Sequence, residues 1–336
     1  MMGRRAFLKL LITSSAGLGL SRLSGLPAWR QARAAVAATG EDRVYLMSYF
    51  RTEAEALHLA YSPDGYHWTA LNGNQPVLES SVGSHSIRDP FIVRGQDGGY
   101  HLIWTDGWSS DHIGYCRSDD LIHWGEQKLL PVMAGVKWTK NCWAPECFYD
   151  PEAKEYRFIW SSTVFKNDLE RFLDVYDHRI WTTTTRDFAT FSLSSLYFDP
   201  GYSVIDATLV YDETRRTNRY VMIFKDERGE NRPGTENKAM RVTVAGSGDG
   251  PFHDISELIT PTLTEGPTVF RMGDRWMMFY DHFMEGRFGA SISDDLLHWE
   301  IVTDQVTFPP GPRHATVFPV EQEALDALLE AYPEAG

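Results

Sequence analysis

The sequence predicts an all-β chain built from repeated four-stranded units, and three observations carry that prediction. SDDLIHW at 118–124 returns as SDDLLHW at 293–299. Each copy closes a unit of four short runs that alternate as strands do. The N-terminal unit is one run short, and a run that fits the gap stands near the opposite end of the chain.

Taken in order, the N-terminal unit supplies VYLMSYF (44–50), LHLAYS (57–62) and PDGYHW (63–68), which match the second, third and fourth runs of a unit. The next reads RDPFIVRG (88–95), YHLIWTD (100–106), HIGYCRS (112–118) and the first copy of the string. Weaker copies follow: APECFYD, YRFIWSS, RIWTTTT and RDFATF between 144 and 191, then DATLVYD, RYVMIFK, MRVTVAG and GDGPFHD between 206 and 254. The last complete unit is EGPTVFRM (265–272), RWMMFYD (275–281), FGASIS (288–293) and the second copy, and RHATVFPV (313–320) is the missing first run.

Units of about 60 residues with four strands each, arranged radially, make a β-propeller. Four complete units and one split unit make five blades. A C-terminal strand that completes the N-terminal blade leaves no open sheet edge. In the repeated string, the aspartates bond nearby backbone amides in a tight turn and the tryptophan starts the outer strand and packs between blades. The string is therefore architecture, and chemistry is sought elsewhere.

Charge and composition narrow the function. The first 34 residues hold Arg4, Arg5, Lys9, Arg22, Arg30 and Arg33 and no acid, with a short apolar run behind the arginine pair. This resembles a twin-arginine export signal, with Arg-Arg-x-Phe-Leu-Lys at 4–9, Gly3 where Ser or Thr is usual, and small-residue cleavage sites at 32–34 and 35–37. The run from Ala6 to Leu20 is too short and too interrupted to span a membrane. The domain reading is a signal and linker over 1–37, a propeller over 42–320 and a helical tail over 321–336. The expected location is periplasmic or secreted. Removing those six positive charges takes the net charge from −14 to about −20. Such a surface argues against nucleic acid and anionic lipid, whose phosphates need clustered Lys and Arg. Cys116, Cys142 and Cys147 have no metal-ligand spacing and read as buried thiols, with a Cys142–Cys147 bridge left open. No phosphate loop or nucleophilic triad is present.

In a propeller the first strand of each blade lines the central channel. Aligning the first strands by their Pro or Ala gives Asp89-Pro90, Ala144-Pro145, Asp206-Ala207, Gly266-Pro267 and His314-Ala315, with Glu265 one place before its alignment point. Three carboxylates from three blades and a histidine thus converge at one end of the channel. Crowded like charges raise at least one carboxyl pKa, as an acid catalyst requires.

With these residues in place, the chain resembles glycoside hydrolase family 43 over about residues 42–320, five-bladed propellers that cut arabinose and xylose linkages with inversion. The resemblance implies that Asp89 in RDPFIVRG is the general base, Asp206 in SVIDATLVYDE the aspartate that tunes and orients the acid, and Glu265 in EGPTVFRM the general acid. It implies a carbohydrate substrate and no required cofactor, and admits a structural calcium in the channel near His314. The spacings of 117 and 59 residues suit two blades and then one. The chain departs from the family pattern in placing the base in its second blade, in Ala207 after Asp206, and in Glu146. Candidate sugar contacts at or just after inner-strand ends are Trp104, Asp106, Trp108, Trp143, Glu146, Lys225 and Asp226.

Two other functions compete. A retaining fructosidase-like propeller would use Arg88-Asp89-Pro90 as stabiliser and Glu146, in Glu146-Cys147, as acid. It then needs an aspartate nucleophile on an earlier inner strand, and residues 42–60 offer no Asn-Asp-Pro-Asn or equivalent. A sugar-binding propeller without catalysis would have lost an acid or base, and all three carboxylates are present.

Overall fold

The computed structural model describes residues 43–232 and 237–333; the expected export signal lies outside them. Five antiparallel sheets form in chain order. The first blade contains β1 (Arg43–Arg51), β2 (Ala54–Ser62) and β3 (Thr69–Ala70), and the second β4 (Arg88–Arg94), β5 (Tyr100–Thr105), β6 (Ile113–Ser118) and β7 (Lys128–Leu130). The third contains β8 (Trp143–Asp150), β9 (Glu155–Ser162), β10 (Arg179–Thr185) and β11 (Ser195–Phe198), with a short helix α1 (Asp168–Phe172) between β9 and β10. The fourth contains β12 (Val204–Tyr211), β13 (Tyr220–Asp226) and β14 (Ala239–Ala245). The fifth contains β15 (Glu265–Met272), β16 (Arg275–His282), β17 (Arg287–Ser293) and β18 (Glu300–Ile301). Strand β19 (Arg313–Glu321) then pairs with β1, Val44 opposite Val320 and Met47 opposite Val317, and completes the first blade. The innermost strands β19, β4, β8, β12 and β15 touch in a closed cycle. This is the predicted five-bladed propeller with its split blade.

The fourth blade differs from expectation in its last run. Among the described residues no outer strand forms there; GDGPFHD contributes one antiparallel bridge, Val244 to His253. Pro251 lacks the N–H that a longer ladder would need.

The turn of the repeated string folds as expected, although in the second blade the outer strand β7 begins at Lys128, four residues after Trp124. Asp120 accepts from the amides of Ile122 (2.9 Å) and His123 (2.8 Å), and its other oxygen meets His123 Nδ1 at 2.7 Å. Asp295 repeats these contacts with Leu297 and His298, and Asp64 with Tyr66 and His67. Trp68, Trp124 and Trp299 each pack into a cluster between two blades. Five such clusters fill the five inter-blade spaces, so the core is a ring of seams with the channel at its centre. Helix α2 (Gln322–Ala331) follows β19 and buries Leu325 and Leu328 in the seam between the first two blades.

One local device, repeated five times, builds the site. Where each innermost strand begins, its ladder with the neighbouring strand takes three steps against two. Arg88 pairs with Thr105 and Phe91 with Ile103; Trp143 with Ser161 and Glu146 with Ile159; Ile205 with Lys225 and Thr208 with Ile223; Glu265 with Asp281 and Thr268 with Phe279. In the split blade Arg313 pairs with Phe50 and Thr316 with Ser48. Each bulge holds a residue at positive φ: Asp89 (47°), Ala144 (46°), Asp206 (52°), Gly266 (58°) and His314 (36°). A bulge leaves a residue outside the ladder and re-aims side chains, and it accepts proline because no ladder bond is lost. That is why Pro90, Pro145 and Pro267 mark the alignment in the sequence.

Amides freed by these bulges bond across the seams. Ala144 N donates to Thr105 Oγ1 (2.7 Å), Asp206 N to Ser161 Oγ (3.1 Å) and Gly266 N to Asp206 Oδ2 (3.1 Å). Ser48 Oγ to the Pro90 carbonyl (2.8 Å) and Val317 N to Thr268 Oγ1 (3.1 Å) close the remaining seams. Four non-glycine residues held at positive φ cost of order 1 kcal/mol or more each, and such strain persists where surrounding bonds over-determine it.

Candidate active site

The bulges arrange side chains in layers around the channel. Arg88, Trp143, Ile205, Glu265 and Arg313 stand just before the positive-φ residues, and Asp89, Ala144, Asp206, Gly266 and His314 occupy those positions. A cavity of about 90 Å³ lies among them, lined by Arg88, Asp89, Trp143, Asp206, Glu265 and His314 together with Thr105, Trp108 and Ile205. The three carboxylates and the histidine read from the sequence therefore share one cavity, with Glu265 one layer nearer the mouth.

His314 joins two of the acids. Its Nδ1 lies 3.3 Å from Asp89 Oδ1 and 4.0 Å from Asp206 Oδ2. Burial disfavours the charged ring, but Asp89, Asp206 and Glu265 outweigh it and push the imidazole up to about 10. One cation cannot neutralise two buried carboxylates, and the nearer one wins. Burial pushes Asp89 up, yet His314, Arg88 and the Thr105 hydroxyl, which donates at 2.6 Å, more than offset it and hold Asp89 well below the usual carboxylate range. Burial dominates at Asp206, with the charges of Glu265 and Asp89 added, and holds it well above that range despite His314 and Lys225. The crowding thus divides the carboxyls into an ionised and a proton-holding member.

Glu265 is held from two sides. Lys225 Nζ donates to Oε2 at 2.8 Å and Arg313 to Oε1 at 3.0 Å. Lys225 also pairs with Glu227 (2.6 Å), and Arg313 with the fully buried Asp281. Each oxygen of Glu265 thus accepts one of these donors and keeps a further lone pair for a substrate hydroxyl. Hydrogen bonds at such sites commonly rearrange when substrate binds.

Of the sequence candidates for sugar contacts, Trp108, Trp143 and Lys225 are at the site. Trp104 is not: it is fully buried in the seam of the first two blades, so close to Gly114 that a Cβ there would sit 1.8 Å from its ring. Asp106 is buried accepting from the amide (2.7 Å) and hydroxyl (2.8 Å) of Ser84, a loop brace. Asp226 is fully buried between Arg228 and Arg241. Glu146 sits one layer deeper, facing Thr208, outside the 90 Å³ cavity, where burial pushes it up to about 8. Arg313, Thr105 and Asp281 are site residues that the sequence reading did not name. All three cysteines are free and buried, so no Cys142–Cys147 bridge forms.

Calcium takes oxygen ligands and His314 offers ring nitrogens; among the described residues no group of three or more His, Cys, Asp or Glu side chains could hold a metal.

The ionisation of His314 has a measurable consequence. Its pKa is near 6.5 when unfolded and about 10 when folded. The stability it contributes is therefore fully present below about pH 6.5 and is lost as pH rises through about 10. Denaturant midpoints measured from pH 6 to 10 are expected to fall for the wild type, and His314→Gln to lose that part of the slope. An unchanged slope in the variant would show that His314 is not a buried cation.

Fold and cavity together define a class, the five-bladed propellers of glycoside hydrolase type. Residues 41–326 match a family model described as a probable glycosyl hydrolase domain related to family 43, and the chain belongs to that family. It is also similar to an alpha-L-arabinofuranosidase of Bifidobacterium longum subsp. longum, 28% identical over 196 residues. That match covers 49% of this chain and 17% of the longer protein. Among solved structures, a thermostable family-43 glycoside hydrolase superposes with a TM-score of 0.55 at 18% identity, covering 73% of this chain and 83% of the other. An endo-arabinase from Bacteroides thetaiotaomicron VPI-5482 gives 0.50 at 16%, covering 66% and 81%. At these identities the likeness is one of fold.

Proposed function

We propose that the protein is an inverting glycoside hydrolase acting on arabinose- or xylose-containing plant polysaccharides or oligosaccharides. The observation that carries the reading is that Asp89 and Glu265, from the second and fifth blades, line one small cavity. Asp89 is held ionised, as a base must be, and Glu265 stands at the mouth, where a leaving oxygen would pass. Inversion needs the acid and base on opposite sides of the scissile bond, about 6.5–9.5 Å apart, with room for a water. Glu265 protonates the leaving oxygen while Asp89 takes the proton of the attacking water. Asp206 holds the Gly266 amide, next to the acid, and acts as a positioning residue. Trp108 and Trp143, which line the cavity, contact the substrate, and buried Lys225 acts through Glu265. The arabinofuranosidase relative supports the choice of substrate.

The retaining reading makes Glu146 the acid, and Glu146 lies below the cavity with its carboxyl toward Thr208. A screen of aryl furanosides and pyranosides of arabinose, xylose, galactose and fructose tests the proposal. Hydrolysis of arabinosides or xylosides is expected; cleavage of fructosides alone would refute it. Binding of arabino- or xylo-oligosaccharides with no cleavage over days would leave the non-catalytic propeller as the reading.

We also propose that the chain is exported by its twin-arginine segment, on the strength of Arg-Arg-x-Phe-Leu-Lys at 4–9. Replacing Arg4 and Arg5 by lysine is expected to hold the protein in the cytoplasm of a fractionated host; unchanged export would contradict this.

A further inference from the structure

Three aromatic side chains run outward from the cavity along the second and third blades. Trp143 and Trp108 line it, their rings edge to face at 5.5 Å. Tyr176, on the segment between β9 and β10, continues the line at 5.8 Å from Trp143. These rings are not core: Trp108 is 60% and Tyr176 57% exposed. They are nonetheless held in place. The Arg88 guanidinium lies 4.4 Å from the centre of the Trp108 ring, Trp143 Nε1 donates to the Trp108 carbonyl at 3.1 Å and its ring rests 4.8 Å from that of His178, and Lys140 Nζ sits 3.7 Å over Tyr176. Large exposed rings fixed by such contacts gain nothing from folding that burial would not supply better.

The cavity itself is small. At about 90 Å³ it has no space for a chain, so a single sugar unit is the most that enters it. The rest of any longer substrate lies outside, against the mouth.

Resting on the hydrolase reading above, we propose that Trp108, Trp143 and Tyr176 form a strip that binds the sugar units beyond the scissile bond, so that the enzyme prefers chains over short glycosides. Pyranose and furanose rings offer C–H faces that lie flat on aromatic rings, and their neutral hydroxyl rims are indifferent to the negative surface of the chain. The occupant is thus a neutral glycan. Its end enters the cavity and its following units rest on the rings.

The test compares arabino- and xylo-oligosaccharides of two to six units. Wild-type kcat/KM is expected to rise with length beyond the dimer. Tyr176→Ala is expected to lose about tenfold, the scale of one good aromatic contact, on the longer chains through KM alone. Its rate on the dimer stays unchanged, and Tyr176→Phe restores the gain. Leu193→Ala, at another exposed apolar position (93% exposed), leaves the length dependence intact. Equal losses at every length, or no loss at any, would overturn the strip while leaving the hydrolase reading standing. Should no oligosaccharide be cleaved, the hydrolase reading fails, and tryptophan fluorescence decides the strip separately: quenching by the hexamer that Tyr176→Ala weakens supports it, and no quenching refutes it.

Discussion

Replacing Asp89 by asparagine lowers turnover at least ~100-fold on every substrate the protein accepts, the usual scale for losing a general base. Asparagine keeps the shape and can still accept the Thr105 hydroxyl, which bonds Asp89 at 2.6 Å. What it cannot do is take a proton from water. The folded structure is expected to survive, because the bulge around residue 89 is fixed by its ladder to Thr105 and Ile103 and by the Ser48 bond to the Pro90 carbonyl. His314 loses its nearer carboxylate, so its ring titrates lower in the variant. Circular dichroism and kcat measured on the same preparation check both halves. A folded variant with near wild-type kcat would remove Asp89 from the mechanism.

Changing Glu265 to glutamine has an equally large effect but a different signature. With a sugar as leaving group, turnover falls at least ~100-fold, because an alkoxide cannot depart without a proton. With 2,4-dinitrophenyl as leaving group the loss is much smaller, since that group leaves as a stable anion. The base variant shows no such rescue. The protein tolerates the change electrostatically: Lys225 retains Glu227 at 2.6 Å, and Arg313 retains Asp281. Equal losses on both leaving groups would mean that Glu265 binds substrate rather than protonating it.

The ring itself was legible in the sequence because the chain labels each blade. Proline or alanine marks every bulge, and the Asp-x-x-His-Trp turn marks the outer edge of three blades. Those labels bring Asp89, Asp206, Glu265 and His314 to one place from the sequence alone. Residues on the second strand of each blade were harder to read, because their facing depends on hairpin register. Thr105, Lys225 and Asp281 pair across the hairpin with Arg88, Ile205 and Glu265. Trp104 and Asp226 are the immediate neighbours of Thr105 and Lys225, and side chains alternate faces along a strand. A one-residue error of phase is enough to send a core tryptophan and a buried structural aspartate to the site. Arg313 carried a signal that was available: it precedes its alignment point as Arg88 and Glu265 precede theirs. The contacts it makes, Glu265 on one side and Asp281 on the other, needed the ring to be closed.

The anomeric form of the first product, followed by proton NMR in the opening minutes of hydrolysis, probes the arrangement of acid and base directly. Two carboxyls flanking a water, as Asp89 and Glu265 are assigned here, release the sugar with inverted configuration. Release with retained configuration would require a covalent intermediate on a nucleophile that this account does not contain, and would contradict it.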